Sequence, residues 1–312
     1  MDEYIPSQRD PRLVPDGGVT YVATMDEPPP EVRPRRRVLP LVLFVLTCVS
    51  TCFAGGVWTE PVGNFDYELH VSWRDGLTYM AAVMAILLAH EMGHFLQAVR
   101  HRVAASWPYF IPMPLSPIGT MGAVIGMGSQ SDRRQLFDIG ISGPLAGLVV
   151  AVPIACYGIL IAEPYGTPLN EGVMACDPLL FQLLIRWLRP ELQGDPLFAW
   201  NPFYMAAWVG MLITGLNMLP ISQLDGGHIS YALFGRWAHL LARVVVAGAF
   251  TFAILGEQYN WLVMLALVFF LGVDHPPTTN DKAELGLARK LIGGASLVIP
   301  ILCLAPVPLR EF

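Results

Sequence analysis

Residues Ile86–Arg100 read ILLAHEMGHFLQAVR, which places two histidines and a glutamate inside an otherwise apolar run. An ionisable side chain at mid-membrane costs about 2.5–3.5 kcal/mol on insertion scales, and such residues face the protein interior and serve a purpose there. On a helix, His90 and His94 project from one face about a turn apart, close enough to grip one ion through ring nitrogens. Glu91 points about 100° away around the axis and can reach a water on that ion without being a ligand itself. This is the HExxH pattern, in which a metal polarises a carbonyl and acidifies its water while the glutamate moves the proton. A solvated helix face would explain the motif only among polar neighbours, and the run from Tyr79 to Val99 is mostly apolar. A bound cation accounts for all three polar groups.

The setting is a membrane. Of 312 residues, 54% are hydrophobic and 14% charged, against about 25% charged in soluble domains. The formal charge of -6 is small for this length and spread along the chain, so nucleic acid is not an expected partner. Cys48, Cys52, Cys156, Cys176 and Cys303 form no C-x-x-C pair and lie mostly in apolar runs, so no disulfide framework is expected.

Residues 1–38 carry seven prolines and end in the basic cluster Arg33–Arg37, which reads as a disordered tail, kept on the cytoplasmic side by the positive-inside rule. Apolar segments follow at about 39–58, 77–99, 136–162, 203–220, 236–256, 260–273 and 286–305, the sixth short for a full crossing. The expected fold is an all-α polytopic membrane protein with six or seven transmembrane helices. Residues 39–305 form its membrane domain and 306–312 a short tail. Several of the tryptophans, including Trp58, Trp73, Trp200 and Trp261, fall at segment ends, where aromatic rings favour the interface. A bacterial inner membrane is the default compartment, with an organelle membrane as the alternative.

Alternation from a cytoplasmic N-terminus brings the second helix out near Arg100, so the HExxH segment lies toward the cytoplasmic leaflet. The same count brings NMLPISQLDGGH, the far end of segment 203–220, to that depth from another helix. Between the two, Ala104–Ser129 is apolar but holds Pro108, Pro112, Pro114, Pro117 and four glycines, which excludes a continuous helix. It reads as a re-entrant loop with room for β structure between the second and third helices; a surface linker dipping into the interface is the other reading.

Two histidines are one short of the usual three protein ligands of catalytic zinc. Asp225, in an LDGG turn, is the candidate third ligand, and Gly226 and Gly227 let the backbone bend so that its carboxylate turns back toward the metal. Zinc with two neutral imidazoles and one aspartate carries about +1, which Glu91 balances. His228 competes as third ligand, or caps the next segment. Asn217 either hydrogen-bonds a carbonyl gaining negative charge or bonds freed backbone near Pro220. His70, His101, His239 and His275 lie near expected interfaces and read as ordinary solvated histidines.

With His90, Glu91 and His94 in the second helix and Asn217, Pro220, Leu224, Asp225 and Gly226 in NxxPxxxLDG, the chain resembles the site-2 protease family of intramembrane zinc metalloproteases. GPLAG at 143–147 and HPP at 275–277 are also similar to family sequence, and the resemblance covers roughly residues 77–277. It implies one zinc per chain on His90, His94 and Asp225, with Glu91 as base and Asn217 assisting at the carbonyl. The implied reaction is hydrolysis of a peptide bond in or near the transmembrane segment of another membrane protein, a single-pass substrate, as a step in regulated intramembrane proteolysis. An outer loop of about 163–200 is too short for the PDZ domain that some members insert, so the PDZ-free group fits. A substrate span must unwind to expose its backbone, and Gly119–Gly128 could offer it an edge strand, with Gly119, Thr120, Gly122 and Ala123 as contacts. A membrane metal transporter would need a polar path through segments 136–162 and 236–256, which are nearly free of polar residues. A non-catalytic scaffold would have no use for Glu91. The sequence leaves the substrate's identity and the oligomeric state open.

Overall fold

In the computed structural model, residues 38–61, 67–128, 131–163, 173–192, 201–258, 261–262, 265–266, 272–305 and 309–311 are described. The expected tail, Trp200, most of segment 260–273 and most of the last seven residues lie outside them. Among the described residues five helices are long and apolar enough to cross a membrane: Val38–Gly56 (α1), Trp73–Arg100 (α2), Arg133–Leu160 (α3), Trp237–Leu255 (α7), and Gly286–Cys303, the last built from Gly286–Ser296 (α8) and Ile299–Cys303 (α9). The helix over segment 203–220 is Pro202–Asn217 (α5), whose 16 residues reach about 24 Å. The chain is a mostly helical, polytopic membrane protein.

Local chemistry sets the helix limits. Ser72 caps α2, its Oγ accepting from the Asp75 amide at 3.3 Å, and Arg100 complements the dipole in the last turn. Asp132 and Gln135 form a full capping box at the start of α3. Pro144 and Pro153 lie inside α3, each removing one hydrogen bond from a helix that runs 28 residues regardless. Helix α2 is the axis of the bundle: 56% of its apolar window is buried, against 22% for α1 and 17% for α7. It packs on α1, α3 and α5. At the α2–α3 contact, a Cβ on Gly93 would fall 2.5 Å from the Ser142 carbonyl oxygen, so only glycine permits that approach.

Between α2 and α3 the chain forms a hairpin of Tyr109–Met113 (β3) and Gly119–Val124 (β4), antiparallel, with Phe110 opposite Ala123 and Pro112 opposite Thr120. Two hydroxyls hold its turn against the bundle: Tyr79 donates to the Ile118 carbonyl at 2.8 Å and Ser50 to that of Gly119 at 2.6 Å. Gly119 has φ +79, and a Cβ there would meet the α1 backbone at Thr51. Two further strand pairs, Val57–Pro61 (β1) with Tyr67–Val71 (β2) and Val173–Ala175 (β5) with Leu309–Glu311 (β6), and an isolated bridge between Ala105 and Met127 complete the β structure of the described residues.

Two features depart from the sequence reading. Within the expected outer loop, Leu179–Leu188 (α4) is a helix, and Arg189 after it donates to the Leu160 carbonyl at the end of α3. The LDGG stretch is not a bend: it opens a separate helix, Asp225–Phe234 (α6).

Candidate metal centre

His90 and His94 stand one turn apart on α2, ring centroids 5.0 Å from each other, both buried against α3. The space for them is made by two glycines with the same spacing. A Cβ on Gly143 would lie 2.0 Å from His94 Nε2, and one on Gly147 would lie 3.1 Å from His90 Nδ1. His94 Nδ1 donates to the Ile139 carbonyl at 2.7 Å, so the neutral ring presents a bare lone pair at Nε2. His90 Nδ1 is buried with no hydrogen-bond partner among the described residues.

The first residue of α6 closes the cluster. Asp225 Oδ2 lies 3.1 Å from His90 Nε2, and its Oδ1 lies 3.2 Å from His94 Nε2. A bare imidazole nitrogen facing a carboxylate oxygen is repulsive unless a proton or a cation sits between them. One ion bound tetrahedrally at 2.0–2.1 Å holds its ligand atoms about 3.3 Å apart, so both spacings suit a shared divalent cation. His90, His94 and Asp225 are the His/Cys/Asp/Glu group among the described residues whose ligand atoms converge this way.

The remaining expected site residues fall around this cluster. Glu91 follows His90 on α2 and is 4% exposed. Asn217, the last residue of α5, brings Nδ2 to 3.5 Å from His90 Nε2, which is proximity rather than a firm bond. Gly119, Thr120, Gly122 and Ala123 lie on β4, outside the cluster. At Gly122 the strand abuts Ile213 of α5, one turn before Asn217. Thr120 and Ala123 are buried while Met121 and Val124 are exposed.

Several expectations need correction. Gly226 and Gly227 do not supply a bend, since neither has a positive φ and the left-handed residue is Ser222, with φ 51. They are small because a Cβ would fall 2.0 Å from the Met218 carbonyl oxygen at Gly226 and 2.2 Å from that of Ser222 at Gly227. His228, the competing ligand, sits one turn along α6 and turns Nδ1 to His275 Nε2 at 2.7 Å. His275 is therefore no solvated histidine; it is buried. His101 pairs with Asp138 at 3.0 Å, which Arg289 also grips, and His239 reaches the His275 carbonyl. Gly143 and Gly147 bound the GPLAG stretch noted in the sequence, but their role, making room for the two rings, is a further signal: a pair of glycines at the spacing of the two histidines.

The chain is 33% identical over 301 residues to the Arabidopsis thaliana protein named probable zinc metalloprotease EGY1, chloroplastic, covering 86% of this chain and 53% of that one. The rice protein of the same name is 30% identical over 296 residues, covering 86% and 50%. Rice probable zinc metalloprotease EGY2, chloroplastic, is 28% identical over 247 residues, covering 75% and 43%. The chain thus spans about half the length of these relatives. No solved structure matches it. The sequence model of peptidase family M50 matches residues 78–256, more than half of the chain and all of the stretch that carries His90, His94 and Asp225. The resemblance to the site-2 proteases is borne out, and the chain belongs to peptidase family M50.

Proposed function

We propose that the protein is a zinc endopeptidase that cleaves a peptide bond in or near the transmembrane segment of another membrane protein, a single-pass one. The observation that carries this reading is the meeting, at a buried point, of both Nε2 atoms of the HExxH histidines with the two oxygens of Asp225, 3.1 and 3.2 Å away. His90, His94 and Asp225 hold one zinc. Bound there, zinc supplies a Lewis acid for the scissile carbonyl and brings the pKa of water toward about 7. Glu91 takes a proton from the attacking water as the C–O bond forms and gives it to the amide nitrogen as the C–N bond breaks. Asn217 donates from Nδ2 to the carbonyl oxygen while that oxygen gains negative charge.

Strand β4 receives the substrate. It pairs with β3 on one side, and among the described residues no strand pairs with its other edge. An unwound substrate span adds there through backbone hydrogen bonds along Gly119–Val124, and its scissile bond passes α5 toward Asn217. Residues 39–305 are the membrane protease domain, and the hairpin is its re-entrant element. The reaction lies toward the cytoplasmic leaflet. His94 stands six residues, about 9 Å of helix, before Arg100. At that same end of the bundle Arg289 grips Asp138, the partner of His101, while Arg133 and Arg134 donate to the Asp281 and Glu284 carbonyls. The membrane is a bacterial inner membrane or an organelle membrane, the latter being where the names of the plant relatives place those proteins.

Glu91→Gln tests the reading. Zinc content measured on the purified chain is expected to stay near one per chain, while cleavage of a model membrane substrate falls by a factor of about 100 to 10,000, the usual contribution of a general base. Unchanged processing of that substrate would overturn the mechanism.

A further inference from the structure

No side-chain cap holds the start of the helix that carries Asp225. Leu224 occupies its capping position and offers no side-chain bond, and the turn before it passes through left-handed Ser222. Residues 272–284, the segment ahead of α8, bracket that turn instead. On one side the Ser222 amide donates to the Val273 carbonyl at 3.1 Å. On the other, His228, three residues after Asp225 and therefore on the same side of α6, meets His275 Nε2 at 2.7 Å.

The direction of that second bond follows from its neighbours. The Pro276 carbonyl, 2.5 Å from His275 Nδ1, can only accept, so Nδ1 carries the hydrogen and the neutral ring leaves Nε2 bare. His228 Nδ1 is then the donor. His275 itself is held by Tyr231 and His239. Tyr231 stacks on its ring at a centroid distance of 4.5 Å, the Tyr231 hydroxyl donates to Asp281 at 3.0 Å, and His239 donates to the His275 carbonyl at 3.1 Å. Arg243 ties Asp274 and the Ser131 carbonyl ties the Thr279 amide, so the segment is anchored to α7 and to the start of α3.

We infer that His275 is a positioning residue for Asp225: by accepting the His228 Nδ1 hydrogen it sets the rotation of α6 and so the direction of the metal-facing carboxylate. The inference rests on the reading of Asp225 as a zinc ligand. Partners that orient metal ligands through a hydrogen bond are worth about 10–100-fold in metal affinity.

The test uses the full chain in detergent or nanodiscs, with zinc affinity by chelator competition, the visible spectrum of the cobalt(II)-substituted protein, and the thermal midpoint. His275→Phe keeps a ring to stack on Tyr231 but has no acceptor; His275→Gln restores an acceptor, its side-chain carbonyl oxygen. The Phe variant is expected to bind zinc about 10–100-fold more weakly with an altered cobalt spectrum, and the Gln variant to recover most of the loss. Should the Phe variant fail to fold, His228→Leu removes the same bond from its other end with the same expected result. Wild-type zinc affinity and an unchanged cobalt spectrum in a folded Phe or Leu variant, whatever its thermal midpoint, would overturn the inference. A wild-type chain that binds no zinc would overturn the reading beneath it instead.

Discussion

His90 and His94 stand in the middle of a helix of 28 residues, whereas Asp225 stands at the first position of a helix of 10. Helix geometry alone sets the histidines one turn apart, and one neighbouring helix seats them: α3, cut back to glycine at Gly143 and Gly147, offers the Ile139 carbonyl to fix the His94 ring. The aspartate needs contacts from far along the chain. Its helix begins uncapped, leans on the carbonyls of Met218 and Ser222, is bracketed by Val273 and His275, and is clasped at its other end by Arg133. The histidine pair is spaced by its own helix and seated by one neighbour, whereas the aspartate depends on several segments, so the two halves should fail in different ways.

The largest expected effect breaks the helical half. Gly143→Ala puts a methyl group where a Cβ would stand 2.0 Å from His94 Nε2, so the ring must leave the cluster. Zinc affinity is expected to fall by more than about 100-fold, beyond the range of partners that merely orient a ligand, as read by metal analysis of the purified variant. Gly226→Ala should do comparable damage from the other half, because its Cβ would meet main chain at Met218 and Leu219 rather than a movable side chain. A next, smaller effect should spare both halves. Ala123→Pro on β4 removes a strand N–H and fixes φ without touching the cluster, so cleavage of a model substrate should fall about tenfold or more with zinc content unchanged. Equal loss of zinc and cleavage would mean that the hairpin serves the metal rather than the substrate.

The smallest effect sharpens the contrast. Arg133 donates from Nε to the Ala232 carbonyl at 2.5 Å and from a terminal nitrogen to that of Leu233 at 3.1 Å, satisfying the free end of α6. Arg133→Met leaves those carbonyls without a donor, which costs about 1–3 kcal/mol of stability. Its thermal midpoint should drop while zinc affinity falls less than in His275→Phe, because the clasp is two turns from Asp225. A larger zinc loss in Arg133→Met would show that α6 pivots from its far end.

The same contrast explains what could be read from sequence. The spans and the histidine pair were legible because hydrophobic runs and an i, i+4 spacing are local signals; α1, α2, α3 and α7 begin and end within a few residues of the expected limits. Asp225 was found by elimination, as an aspartate at membrane depth, but its surroundings were not. The pair Gly226–Gly227 is a breaker signal, yet both residues are helical, because the Met218–Ser222 turn packs too closely for any side chain. The position of His275 near a segment end reads as that of a solvated histidine; it folds back onto His228, 47 residues earlier, a contact without periodicity. The prolines of the stretch 104–129 exclude a helix, and residues 104–128 form none, while the pairing of Phe110 with Ala123 depends on anchors from Ser50 and Tyr79. Arg189 on the end of α3 and the helix before it were hidden in what reads as a loop.

X-ray absorption at the zinc edge of the purified full chain tests the central claim most directly. The account predicts one zinc per chain with two imidazole nitrogens and a carboxylate oxygen at about 2.0–2.2 Å and no sulfur, and loss of that signature in Asp225→Ala. A spectrum unchanged by Asp225→Ala, or one showing sulfur at about 2.3 Å from a cysteine, would contradict it.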